Sequence, residues 1–209
     1  MKGKNTYEIV FFGAAGVGKT SIIRRYYLNH FTNVYDPTVE DCYERVLNIH
    51  GNVIVLNTTD TSGSYQFPAM REVAIQRANA FVMVYSLDDR YSFIEVKRLL
   101  DEVIAVKKAD NIPVVLVGNK KDMEHKREMS SEEVVKDITD YIRVKNARQF
   151  NLRQMETSAK DNHHIDSIFC EIVDILTDSS CSKPEKTTKR VMRRLKSLAC
   201  MCGSYSLRE

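Results

Sequence analysis

The run "GAAGVGKTS" at residues 13–21 constrains this chain more than any other stretch. It follows the apolar segment "YEIVFF" at residues 7–12 and opens a helix-like segment. Gly13 and Gly18 stand five apart, with Lys19 and Thr20 directly after. Strand, glycine loop and helix in that order let successive backbone N–H groups turn inward on an anion, while Lys19 adds a point charge and Thr20 presents a hydroxyl to a divalent cation. The expected phosphate site is therefore Gly13, Ala14, Ala15, Gly16, Val17, Gly18, Lys19, Thr20 and Ser21. The alternative is a glycine-rich turn that binds nothing.

The remaining chain has the pattern that such a loop needs. Short apolar runs at residues 52–60, 80–87, 112–120 and 154–158 alternate with helix-period segments, as in a mostly parallel sheet covered by helices. Residues 41–49 read as one more strand, turning at His50, Gly51 and Asn52 into an antiparallel hairpin. Phe93, Val96, Leu99, Leu100, Val103 and Ile104 share one helical face, and Ile165, Ile168, Phe169, Ile172 and Leu176 share another. Both are core-facing stripes. With 43% hydrophobic and 28% charged residues among 209, one core is expected. That places an α/β domain over residues 7–177, an N-terminal tail at 1–6 and a basic C-terminal tail at 178–209.

The net charge of +3 is unevenly spread: from Cys181 onward eight Lys/Arg face two acids, +6, which leaves 3 − 6 = −3 on residues 1–180. Five cysteines, Cys42, Cys170, Cys181, Cys200 and Cys202, are odd in number and scattered, which fits reduced thiols better than a disulfide framework or a zinc site. No apolar run is long enough for a membrane span and no apolar stretch precedes the first strand, so neither a span nor a signal peptide is expected.

"NKKD" at residues 119–122 addresses which nucleotide. A carboxylate such as Asp122 accepts from both the N1–H and the exocyclic amine of guanine, and adenine has no such pair of donors. The Lys120 stem is suited to lie along a base, and Ser158, Ala159 and Lys160 offer a backbone N–H to the guanine O6. Asn119 and Lys120 as plain turn residues are the alternative, and their place after an apolar run favours the nucleotide reading.

The motifs GAAGVGKT, YDPTVEDCY, DTSG, NKKD and ETSAK stand in this order over residues 6–177, and the chain resembles a small GTPase of the Ras family. The resemblance implies a P-loop NTPase fold, the Ras-like G domain: a six-stranded mostly parallel sheet with one antiparallel strand, five helices, GTP or GDP with Mg²⁺, and a monomer. It also implies that Phe31 stacks on the guanine edge, that Thr38 joins Thr20 on Mg²⁺ when the γ-phosphate is present, and that Asp60 holds the metal through water. Gly63 would give its N–H to the γ-phosphate, so the expected catalytic set is Lys19, Thr38, Gly63 and Ser64. Two loops would then be held only while that phosphate exists. A small-molecule kinase is disfavoured, because NKKD and SAK select a purine base and nothing resembles an acceptor lid.

Three departures from the family stand out. Ser64 fills the slot of the glutamine that orients the attacking water. Its hydroxyl is too short to span to both water and γ-phosphate, and loss of one such contact costs roughly 3 kcal/mol, about a hundredfold in rate. Slow hydrolysis is expected, with Gln66 able to substitute only if the loop shifts. Ala15 stands where Ras-like loops commonly have glycine, and its methyl either obstructs an incoming arginine finger or is accommodated. Finally, the stretch from Asp122 to Ser158 is longer than in Ras, with the excess expected as a longer helix or loop within residues 130–154. Ser64 with "YQFPAM" at 65–70 resembles the Di-Ras and Rhes-like branches.

"YDPTVEDCY" at residues 35–43 is close to the Ras effector segment, so an acidic edge strand around Asp36, Glu40 and Asp41 is expected to meet ubiquitin-like Ras-effector domains. An exchange factor and an activating protein are the other partners that the resemblance implies. In the tail, residues 186–199 put Val191, Leu195, Leu198 and Ala199 on one face amid six Lys/Arg, a composition suited to an anionic membrane surface. A nucleic-acid arm or a nuclear localisation signal has the same composition, and a disordered tail is the plainest alternative; no nucleic acid is expected. The last four residues carry no Cys for prenylation, whereas Cys200 and Cys202 are candidates for palmitate. The expected location is cytoplasmic, peripherally attached to the inner face of the plasma membrane.

Overall fold

A computed structural model describes residues 4–178 apart from 35, 39, 50, 64–67, 110 and 146–149. The strands are β1 (Lys4–Phe12), β2 (Glu40–Ile49), β3 (Asn52–Thr61), β4 (Ala80–Ser86), β5 (Ile112–Asn119) and β6 (Phe150–Glu156). They form one sheet in the order β2-β3-β1-β4-β5-β6. Only β2 and β3 pair antiparallel; every other pair is parallel. The expected six-stranded sheet with one antiparallel strand is therefore present. Contacts cluster into one unit over Met1–Leu176 and another over Thr177–Glu209, of which the described part is the last two residues of the final helix.

Five α-helices occur among the described residues: α1 (Lys19–Leu28), α2 (Pro68–Arg77), α3 (Arg90–Lys107), α4 (Ser131–Val144) and α5 (Ile165–Asp178). Alternation along β1 sends Ile9 and Phe11 to one face and Val10 and Phe12 to the other. The first face meets Ile22 and Ile23 of α1 and the full α5 stripe; the second meets Ile75 of α2, the α3 stripe, and Val134 and Ile138 of α4. Each such large apolar side chain contributes about 1.5–3 kcal/mol when fully buried. In α3 the stripe residue Ile104 is only half-buried, the others being buried. Asp89 caps α3 by accepting from the Tyr91 and Ser92 N–H groups, and a Ser130–Glu133 capping box starts α4.

Two strand starts depart from the sequence reading. β1 begins at Lys4, inside the expected N-terminal tail at 1–6 and ahead of the strand expected from residue 7, because Lys4–Thr6 pair in parallel with Val53–Val55. β6 begins at Phe150, not at residue 154, because Phe150–Arg153 pair in parallel with Ile112–Val115. Asn151 and Arg153 interrupt the apolar pattern of this edge strand, and that hid it. The long stretch after Asp122 is thus shared between α4 and an extended strand.

Candidate nucleotide-binding site

The predicted motifs converge beyond the C-terminal ends of β1, β3, β5 and β6, where ligands bind in open parallel sheets. The loop after β1 is pinned from the far side of the domain: Asn119 Nδ2 donates to the Val17 carbonyl at 2.9 Å. Gly18 caps α1 at φ 96°, and a Cβ there would collide with that same Asn119 amide. Glycine is required both by the backbone and by the close approach.

Lys19 is 5% exposed, and its ammonium donates to the Gly13 carbonyl at 2.8 Å and the Ala14 carbonyl at 2.9 Å. Burial pushes its pKa down to about 8, partly offset by Asp60. The ammonium has a third proton. A phosphate is the ligand this buried charge favours.

The residues expected at the metal lie together. Thr20 Oγ1 and Thr38 Oγ1 are 2.7 Å apart. An octahedral Mg²⁺ with oxygens at about 2.0–2.1 Å sets neighbouring ligands about 2.9 Å apart, so the two hydroxyls suit adjacent positions on it. Asp60, opposite Phe11 in the sheet register, is 0% exposed, and neither of its oxygens has a hydrogen-bond partner among the described residues. Burial raises its pKa, with nearby Thr20 and Lys19 pulling it down. A buried carboxylate with unpartnered oxygens beside two hydroxyls fits a hydrated Mg²⁺. Gly63 lies directly against the phosphate loop, since a Cβ on it would run into the Ala15 backbone. Thr61 anchors that segment by donating from its hydroxyl to the Phe11 carbonyl at 2.6 Å. Ser64 lies outside the described residues.

At the other end, Ser158 Oγ donates to Asp122 Oδ1 at 2.7 Å. The Ala159 N–H and the Thr157 hydroxyl both donate to Asn119 Oδ1 at 3.3 Å. Asn119 thereby ties the phosphate loop to the loop after β6, and Ser158 orients the carboxylate. The Lys120 ammonium is 3.3 Å from Asp88 Oδ1, whose carboxylate also accepts from the Ser86 hydroxyl and is held below the usual range by that bond and by Lys120, against the opposing effect of burial. Phe31 is half-buried, with the Arg25 guanidinium 5.8 Å from its ring centre.

A cavity of about 870 Å³ runs between the two ends. Ala15, Gly16, Gly18, Lys19, Thr20, Ser21, Phe31, Thr38, Gly63, Asn119, Lys120, Asp122, Ala159 and Lys160 line it. Its size lies within the range of about 300–1,000 Å³ usual for small-molecule sites. Gly13, Ala14, Val17 and Ser158 do not line it and act from behind the wall through the bonds above; Asp60 does not line it either. Arg24 and Asp88 also line the cavity, and Arg25 bonds the carbonyls of the lining residues Ala159 and Lys160, yet sequence reasoning missed all three. Arg24 lies in the electrostatic reach of Tyr43, Asp41 and Asp60. Nothing local in the sequence marks these residues, since the partners that bring Asp88 and Arg25 to the site, Lys120 and the carbonyls of Ala159 and Lys160, are distant in the chain.

The family model described as "Ras family" matches residues 8–178. Among characterised proteins, the chain is 39% identical to the GTP-binding protein Di-Ras2 of Pongo abelii over 172 residues, 82% of each chain. It is 38% identical, over the same length and shares, to Di-Ras2 of Mus musculus and of Macaca fascicularis.

Proposed function

Since the chain belongs to the Ras family, whose members are GTP-binding switches that hydrolyse GTP, we propose that it is a switch with slow intrinsic hydrolysis. The observation that carries the binding half is the Thr20–Thr38 hydroxyl pair at the opposite end of one cavity from Asp122, near the buried Asp60 carboxylate that is unpartnered among the described residues. The slowness rests on Ser64 in the sequence. Mg²⁺, when bound, neutralises charge that builds up toward the leaving diphosphate. Lys19 adds its own charge there, the Gly63 N–H and Thr38 hold the γ-phosphate side, and Asp122 with the loop 158–160 reads guanine. No side chain of glutamine length stands at position 64 to order the water.

Single-turnover hydrolysis of preloaded GTP tests this, comparing the wild type with Ser64→Gln. The variant should be about a hundredfold faster. Equal rates would remove Ser64 from the account, with Gln66 the next residue to replace. A second reading, a GTP-loaded binding module with negligible hydrolysis, is favoured by Ala15 in place of the glycine usual in such loops, whose methyl would obstruct an activating protein's arginine. A wild-type half-life of many hours, unchanged by activating proteins, would select that reading.

Signalling would run through β2. It is an edge strand of the sheet, and Asp36, Glu40 and Asp41 are exposed along its entry, which suits a ubiquitin-like domain adding a strand and supplying Lys/Arg. Equal affinity of such a domain for the GDP and GTP-analogue forms would exclude it. The basic residues 186–199 would attach the protein to the inner face of the plasma membrane, with palmitate on Cys200 and Cys202 as the second anchor. If Cys200→Ser, Cys202→Ser and wild type fractionate alike, acylation plays no part.

A further inference from the structure

Arg25 stands in the last turn of α1, and its guanidinium joins the end of its own helix to a loop more than 130 residues further along the chain. Nε donates to the Ala159 carbonyl at 2.9 Å and Nη2 to the Lys160 carbonyl at 3.0 Å, across 134 and 135 residues. Nη1 donates to the Asn29 carbonyl at 3.2 Å, at the left-handed residue that ends α1. Two residues beyond Asn29 comes Phe31, whose ring centre is 5.8 Å from the same guanidinium.

Helix capping explains only part of this arrangement. A cation near a helix C-terminus is stabilising, and the bond to Asn29 supplies that. The bonds to Ala159 and Lys160 add nothing to the cap. They fix the backbone of the loop whose Ser158 hydroxyl orients Asp122 and whose Ala159 N–H bonds Asn119. A planar fork with five donors can hold two successive carbonyls and a third in one plane, whereas a lysine ammonium has neither the span nor the fixed geometry.

Resting on the nucleotide reading above and deepening it, we infer that Arg25 is the positioning residue that latches the guanine end: it holds the loop 158–160 and the Phe31 segment as one unit. Nucleotide release requires that unit to open. Both walls therefore part together, and the chain leading from Phe31 into the Thr38 segment is coupled to base recognition.

The test is release of fluorescent GDP from the full-length protein, measured for wild type, Arg25→Lys and Arg25→Gln, with Mg²⁺ and after chelation. Both variants should release GDP about tenfold faster, the order of effect of losing one hydrogen bond to a charged group. The factor should be the same with and without Mg²⁺, because the latch and the metal residues act at separate ends. Amide exchange should rise in residues 157–161 and 30–33 and stay unchanged in 13–20, which general loosening of the fold would not produce. Release within twofold of wild type in both variants overturns the inference, as does an acceleration that disappears on chelation or an exchange increase spread evenly over the domain. A wild type that retains no GDP sinks the nucleotide reading and the latch with it; a wild type that retains GDP beside unaffected variants sinks the latch alone.

Discussion

The two ends of the cavity are built on opposite plans. At the guanine end, Asn119, Asp122, Thr157, Ser158 and Ala159 already bond to one another and to the phosphate loop. At the phosphate end, Asp60 is fully buried with both oxygens unpartnered among the described residues, and the Thr20 and Thr38 hydroxyls bond to each other. A site whose polar groups satisfy one another keeps its shape and can discriminate continuously. A site with unsatisfied polar groups gains stability only when a ligand supplies partners, so its neighbouring loops respond to what is bound. On the proposed function, recognition and switching are thereby separated along one cavity.

The largest effect should come from breaking the prebuilt end. Asp122→Asn keeps an oxygen for the Ser158 hydroxyl, so the fold should survive, but one of its two guanine acceptor positions becomes a donor. Loss of one charge-assisted hydrogen bond, and of the charge behind the other, costs about 3 kcal/mol and weakens GDP binding roughly a hundredfold, measurable by fluorescent-GDP titration. An affinity within tenfold of wild type would show that base recognition does not depend on this carboxylate.

A smaller effect should follow at the responsive end. Thr20→Ala removes one of the two hydroxyls and should weaken Mg²⁺ by about tenfold or more. Chelation, which should speed GDP release from wild type, would then add little in the variant. If chelation accelerates both proteins equally, Thr20 is not a ligand and the contrast between the ends is wrong there.

The smallest effect sharpens the contrast from behind the guanine end. The loop 158–163 is closed by the Ser158 N–H donating to the His163 carbonyl at 3.2 Å and the His163 N–H donating to the Ser158 carbonyl at 2.9 Å. The His163 ring lies against that of His164, with centres 3.8 Å apart. Burial, then His164 and Lys121, hold its imidazole below the ordinary 6.5, with Asp161 acting in the other direction. As pH falls through 6.5, the unfolded chain takes up a proton more readily than the fold does, so stability is full above that value and declines below it. Urea unfolding between neutral pH and about pH 5.5 should show a modest decline that His163→Gln reduces. An identical slope in the variant would assign the decline to other groups.

Some of this was legible in the sequence for definite reasons. Gly18 could be read because a phosphate loop needs backbone that only glycine supplies, and the structure adds the Asn119 amide that bars a side chain. The helical stripes of α3 and α5 could be read because burial repeats with the helix period. The start of β6 could not, because Asn151 and Arg153 alternate with Phe150 and Leu152 on a strand at the sheet edge, where polar residues are tolerated. Asp88 and Arg25 were invisible because their partners, Lys120 and the carbonyls of Ala159 and Lys160, are brought to them only by the sheet order.

The sequence alone determined which chemical groups are available and in what order: a glycine loop with Lys19, a strand ending in Asp60, a carboxylate at Asp122, and serine instead of glutamine at position 64. These follow from residue type and local periodicity, which are properties of neighbours in the chain. Tertiary structure decided which of those groups are satisfied and which are left waiting, because that depends on contacts across as many as 135 residues. Loop closure over such distances leaves no local signature, and only the packed sheet sets Ser158 on Asp122, Arg25 on the loop behind the guanine site, and nothing on the oxygens of Asp60 among the described residues.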